Sequence, residues 1–366
     1  MTLNKLFKTA LIAAAITSAS VSACTTFVLN SNDDAVVYGR TMEWGAFDLN
    51  SRLVVVPRGY KFAESIDGYN AIRFQTQYGI VGIDAIDKDF ITDGMNEKGL
   101  VVGVLYHPNT AEYQEFTPDA ASKAISSQML ANYILGRFET VEEVAEALKD
   151  IIVVDKAEEA FSGYPLPLHW TVVDANNNRI VVEYLNGELS VFENPLGVMT
   201  NSPSFDWHMT NVRNYPQLQR EAHPSFTLSG HEFTNIGGGT NLMGIPGDYT
   251  PPSRFIRAVA YSQTAKETKT ASDAVLESFR ILDSFNLPLG SAEGGAVSPD
   301  YLKEARSSTM WTTTADATNL KYYYHTQYNR QIRMIDLMNT NFSGKEIKRF
   351  ALDESKEQPI IEIKTN

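Results

Sequence analysis

Residues 22–44 read "SACTTFVLNSNDDAVVYGRTMEW". Two β-rich runs, "TTFVLNS" and "AVVYGRTM", flank the turn-forming cluster Asn32-Asp33-Asp34, so the stretch predicts a pair of adjacent strands. The single cysteine of the chain, Cys24, heads the first strand. The small residues Val21-Ser22-Ala23 precede it, and upstream lie Lys5, Lys8 and a short apolar core over Leu11 to Ile16. That order is the order of an export leader cut after Ala23. The apolar run is too short for a permanent membrane span. We therefore expect residues 1–23 to be a signal peptide, residues 24–366 to be a single domain, and the product to be periplasmic.

Beyond residue 44 the pattern alternates in blocks. "SRLVVVPRG" reads as a strand, and "FITDGMNEKGLVVGVLY" as a hairpin punctuated by Asp93-Gly94 and Lys98-Gly99. Residues 117–135 predict a helix opened by Thr117 and Pro118. A second helix starts at Thr140, with Glu143 completing a capping box. "LHWTVVDANNNRIVVEYLNGELSVFEN" predicts strands joined at Asn176 to Asn178 and at Asn186-Gly187. Residues 271–284 predict a third helix, and 308–329 a further hairpin. Residues 205–250, with Gly237 to Gly239, read as an irregular surface excursion. Strand blocks followed by helix blocks indicate an α+β layered domain rather than a doubly wound parallel sheet.

The formal net charge is −13, and loss of Lys5 and Lys8 takes it to about −15, which argues against nucleic acid or an anionic membrane surface as partner. A lone cysteine in an exported chain cannot form an internal disulfide. Three roles compete for Cys24. It could carry a lipid anchor, since Val21-Ser22-Ala23-Cys24 fits that pattern. A core strand that starts at an anchor, with no polar tether, argues against it. It could be a small buried filler. Or cleavage before it could create a thiol and a free α-amine on one residue. An α-amine ordinarily titrates at about 7.7–8, so it can take the thiol proton and later protonate a leaving amine. No histidine is then needed, and the six histidines show no nucleophile–partner spacing.

The series "CTTFVL…GRTMEW", "DGMNEKGL", "VMTNSP", "GIPGDYTPPSRFIRA" and "MWTTTAD" resembles, in order from Cys24 to Asp316, the choloylglycine hydrolase family of N-terminal nucleophile hydrolases, which holds conjugated bile acid hydrolases and penicillin V acylases. The resemblance implies a four-layer αββα sandwich, linear amide hydrolysis, a homotetramer, and neither metal nor organic cofactor. It makes Cys24 the nucleophile and Arg40 the arginine beside it. Glu43 falls where many members carry aspartate to hold the α-amine, one methylene farther out. Asn201 matches the side-chain oxyanion donor and Tyr106 the backbone donor. Arg254, rather than the nearby Arg257, matches the arginine near the site; Asn211 ranks below these. Read alone, Arg40 would be a surface charge at a strand end, Asn201 a turn residue, and Trp44 a core residue. Tyr106, where bile-salt-preferring members commonly show asparagine, and Trp44, suited to stack on an aryl-acyl group, resemble the penicillin V acylases of Gram-negative bacteria, whose members often accept N-acyl homoserine lactones. Bile salt hydrolysis and a ligand-binding lipoprotein without turnover remain the alternatives.

Overall fold

The computed structural model describes residues 23–45, 47–292 and 307–365; apart from Ala23, the expected leader lies outside them. Cys24–Asn30 and Val36–Trp44 pair antiparallel, Cys24 opposite Met42. They form one edge of a five-stranded antiparallel sheet completed by Ser308–Asp316, Lys321–Thr326 and Arg333–Asp336. An eight-stranded antiparallel sheet runs in the order Glu188–Glu193, Arg179–Leu185, Leu168–Val173, Val101–Tyr106, Phe90–Asn96, Ile80–Ala85, Arg52–Val56, Lys348–Ala351.

The two-residue period of Val36–Trp44 shows how the layers stack. Val37 packs with Ala274, Val275 and Phe279 of the helix Ala271–Leu282, and a Cβ on Gly39 would lie 2.3 Å from Ser278 Oγ. That face is covered by helices, with Pro251–Thr264 lying against the Cys24–Asn30 strand. Tyr38 and Arg40 point the other way, into the eight-stranded sheet. Tyr38 Oη donates to Asp93 Oδ2 at 3.0 Å. The outer face of the larger sheet carries the helix Leu130–Arg137, where Asn132 Oδ1 accepts from Ile91 N at 3.2 Å and Asn96 Nδ2 donates to Leu135 O at 2.9 Å. The chain is thus a four-layer αββα sandwich, and the core lies mainly between the sheets. Among the described residues no helix is long and apolar enough to cross a membrane.

Several expectations need correction. The helix expected over 117–135 is broken: Ala124–Ser126 pairs as a parallel strand with Ile152–Val154, and Ser126 N donates to Glu64 Oε1 at 2.7 Å. Only Leu130–Arg137 is α-helical. The capping box at Thr140 is half formed: Thr140 accepts from Glu143 N, but Glu143 Oε2 takes the N–H of Glu139. Asp93-Gly94 is not a turn. It lies mid-strand in Phe90–Asn96, because Asp93 accepts from Tyr38, Thr313 and Tyr322 hydroxyls at 2.5–3.0 Å between the sheets. Gly94 is needed there: its Cβ would lie 3.1 Å from Gly82 Cα on the neighbouring strand. The excursion after residue 204 begins as a helix, Phe205–Val212. Beyond it the chain carries an exposed hairpin, Phe226–Leu228 with His231–Phe233.

Candidate active site

The strand headed by Cys24 is the free edge of its sheet, and that edge is where a second chain segment docks. Thr26 N donates to Met199 O at 2.8 Å, and Met199 N returns the bond to Thr26 O at 3.1 Å. This bridge sets Asn201, two residues on, beside Cys24. The Cys24 nitrogen donates to Asn201 Oδ1 at 2.9 Å. Asn201 Nδ2 donates to Tyr106 O at 2.7 Å, so one hydrogen of that amide is held by the strand end opposite.

Arg40 enters from below. The ladder between Phe90–Asn96 and Val101–Tyr106 ends at Asp93 opposite Gly103. Just beyond, the strands part, and the Arg40 guanidinium fills the gap by donating to Thr92 O on one strand and Val104 O on the other. The same group donates toward Cys24 Sγ at 3.6 Å and Met42 Sδ at 3.7 Å, with Asp93 Oδ2 3.6 Å away. Burial works against its charge, but Cys24 and Asp93 hold its pKa above the ordinary arginine value. Cys24, Arg40 and Asp93 are all buried.

Arg254 ties the two halves of the site together. It donates to Cys24 O, to Thr25 Oγ1 at 2.9 Å and to Asn201 Oδ1 at 2.7 Å. Burial pulls it down to about 10, against the opposing pull of Glu43 and Cys24. Arg257 instead donates to Pro246 O and Asp248 O, bracing the loop that leads into its helix. Asn211 is turned to Asn214, 3.2 Å away.

Glu43 lies on the helix-facing side of its strand. It is buried, accepts from Thr309 Oγ1 at 3.0 Å, and is pushed up to about 7 by burial, against Arg254, Thr41 and Thr309. In this chain the Ala23–Cys24 peptide bond is intact, so the Cys24 nitrogen is an amide, and its acceptor is Asn201. Sequence reasoning had not assigned that second role to Asn201.

A narrow pocket opens at Cys24. Its walls are almost wholly apolar. In the wall, Trp44 sits edge-on to Tyr106 and Phe161, with ring centroids 5.4–5.7 Å apart, and Phe90, Leu49, Leu166 and Leu168 are among the other lining residues; Phe47 packs edge-on against Trp44 and Phe161. Tyr106 pairs with Leu168 while the flanking His107 N bonds Pro167 O. In an antiparallel ladder that alternation turns the Tyr106 N–H away from the Leu168 strand, to the side where the neighbouring strand has parted. Met42, Asp93, Phe47 and Phe161 escaped the sequence reading. Met42 was visible only as a strand residue, Asp93 only as part of a turn signal, and Phe161 comes from a distant 3₁₀ turn.

Residues 24–350 match the linear amide C–N hydrolases of the choloylglycine hydrolase family, and the chain belongs to that family. It is 34% identical to the bile salt hydrolase/transferase of Clostridium perfringens over 91% of this chain and 98% of that one. It is 28% identical to the penicillin V acylase of Pectobacterium atrosepticum over 96% of this chain and 90% of that one. A solved structure of conjugated bile acid hydrolase from C. perfringens superposes with a TM-score of 0.78 at 32% identity, covering 93% of this chain and all of the other. The protein is a hydrolase of non-peptide C–N bonds in linear amides.

Proposed function

We propose that the protein is a cysteine acylase whose acyl pocket takes an apolar aryl or alkyl group, with penicillin V and N-acyl homoserine lactones as the matching amides. The apolar, aromatic-walled cavity beside Cys24 Sγ carries this proposal. The names of the relatives favour bile salts as the second candidate.

Removal of residues 1–23 turns the Cys24 nitrogen into an α-amine. That amine takes the thiol proton as sulfur bonds the acyl carbon, and the carbonyl electrons move onto oxygen. The second hydrogen of Asn201 Nδ2 and the Tyr106 N–H stabilise that oxyanion; one such donor contributes roughly 3–4 kcal/mol. Collapse breaks the C–N bond, and the Cys24 ammonium protonates the departing amine. A water, giving its proton to the same α-amine, then attacks the thioester, and the thiol is regenerated with the acid. Arg40 supplies fixed positive charge next to the sulfur, while Arg254 and Glu43 hold the Cys24 backbone and its amine.

Export to the periplasm couples leader removal to activation. A homotetramer is our expectation for the assembly, supported by the half-exposed Phe226 and Phe233 and the more exposed Leu228 on the protruding hairpin. Turnover of penicillin V, glycocholate and acyl homoserine lactones by the mature protein, with detection of the released amine, tests the assignment. Glycocholate turned over far faster than the other two would transfer it to the bile salt hydrolases. No turnover of any, with a diacylglyceryl adduct on Cys24, would make the chain a lipoprotein.

A further inference from the structure

Behind the loop that carries Asn201 lies a buried cluster of titratable side chains that the mechanism above does not use. His169 and Glu183 face each other across adjacent strands, one step beyond the Trp170–Val182 pair. His169 Nε2 is 2.9 Å from Thr200 O, and its Nδ1 is 2.9 Å from Glu183 Oε1. On the next residue, His208 Nε2 is 2.8 Å from Asn201 O. Glu183 also accepts the N–H of Phe205, at 3.1–3.2 Å, at the start of the helix that bears His208.

The partners fix the protonation. A carbonyl can only accept, so His169 Nε2 and His208 Nε2 must both donate. His169 Nδ1 against a carboxyl oxygen then needs one proton between them. Burial lowers His169 and raises Glu183, which favours a neutral imidazole accepting from a protonated carboxyl. His107 stacks on His169 with centroids 3.9 Å apart and planes 11° apart, and its Nε2 is 3.7 Å from Glu183 Oε1. The donor atoms of these three residues lie close together. Parallel stacked rings, however, send their in-plane lone pairs side by side rather than toward one point about 2 Å from each nitrogen, as zinc would require.

We propose that His169, with Glu183 sharing its proton, and His208 are positioning residues that clamp the two successive carbonyls of Thr200 and Asn201 and thereby aim the Asn201 amide at the oxyanion. The two peptide planes flanking the Asn201 Cα are held by separate imidazole N–H groups, so the direction of its Cβ is determined from both sides. A donor displaced by a fraction of an ångström loses much of its transition-state stabilisation. The proposal rests on Asn201 serving as that donor.

The test compares two reactions of Cys24. Amide hydrolysis passes through an oxyanion; alkylation by iodoacetamide is a direct displacement and does not. His169→Phe and Glu183→Leu should lower kcat about 10- to 100-fold with KM within about threefold, while the alkylation rate stays at the parent value. Glu183→Gln can donate to Nδ1 and accept from Phe205, and should keep kcat within about threefold of the parent. Should His169→Phe fail to fold, His208→Phe decides. Its ring can keep the stack on Phe255, 4.7 Å away, and it should lose about tenfold in kcat alone. Folded variants hydrolysing at the parent rate would overturn the proposal, as would equal losses in hydrolysis and alkylation, or one equivalent of bound metal in the purified protein. Asn201→Ala is the control: if it hydrolyses normally, the oxyanion assignment itself has failed.

Discussion

At Cys24 the sulfur and the nitrogen face different partners. The sulfur lies under Arg40 and Met42, while the nitrogen points to Asn201. In the mechanism proposed above, this division lets one residue serve as nucleophile and base without the two groups competing. Cys24→Ser should cut amide hydrolysis roughly 100-fold or more, because an alcohol is harder to activate by an amine; steady-state rates on penicillin V check it. Trp44 forms the centre of the aromatic wall. Trp44→Ala should raise KM for an aryl-acyl substrate about 3- to 10-fold while leaving Cys24 alkylation unchanged. An unchanged KM would mean that the acyl group binds elsewhere. The unusual Glu43 keeps its carboxylate buried near Arg254, which offsets the cost of that burial.

At the scale of elements, the site exists because two strands part. Val101–Tyr106 and Phe90–Asn96 run together only as far as Gly103 and Asp93, and Arg40 bridges the gap between their diverging ends. The sheets come close at that point. A Cβ on Gly103 would lie 2.1 Å from Tyr38 Oη, whose hydroxyl is already committed to Asp93. Gly103→Ala should therefore destabilise the fold by about 1–3 kcal/mol through overpacking, measurable by denaturant unfolding; a neutral result would show that the sheets can slide apart. The hairpins at Asn186-Gly187 and at residues 308–329 were legible from turn residues and alternation, since both signals are local. The strand Ala124–Ser126 was not, because its partner Ile152–Val154 lies far along the chain and its residues have ordinary helical character.

For the whole molecule, two properties depend on state rather than on any one contact. The first is processing. Ala23 and Cys24 are both buried in the uncut chain, and the intervening amide cannot act as a base. Protein retaining Ala23 should be folded yet inactive, with thermal unfolding close to that of mature protein; activity in a sample shown by intact mass to be uncut would refute the activation scheme. The second is acid sensitivity. Burial, with help from Arg330 and Arg333, holds His325 down to about 4. The unfolded chain takes up that proton first, near the ordinary value of about 6.5. The contribution of His325 is thus full above about pH 6.5 and is lost as pH falls toward 4, by roughly 2–3 kcal/mol. His325→Gln, remote from Cys24 and packed against Phe279, should flatten the fall in Tm between pH 6.5 and 4.5, and equal slopes would contradict it.

Turn and strand signals, which are carried by neighbours in the chain, determined the α+β character, and the resemblance of the ordered motifs from Cys24 to Asp316 supplied the family, the αββα layering and which residues to look for. Tertiary structure alone decided what those residues touch. Arg40 proved to be a buried bridge rather than a strand-end charge, Asn201 binds the Cys24 nitrogen as well as offering a donor, and Asp93 left its apparent turn for the space between the sheets. It also gathered His169, Glu183 and His208 behind Asn201. Apart from the short-range His208–Asn201 contact, these depend on contacts between segments tens to hundreds of residues apart, and periodicity does not encode which distant segment will supply a buried polar group with its partner.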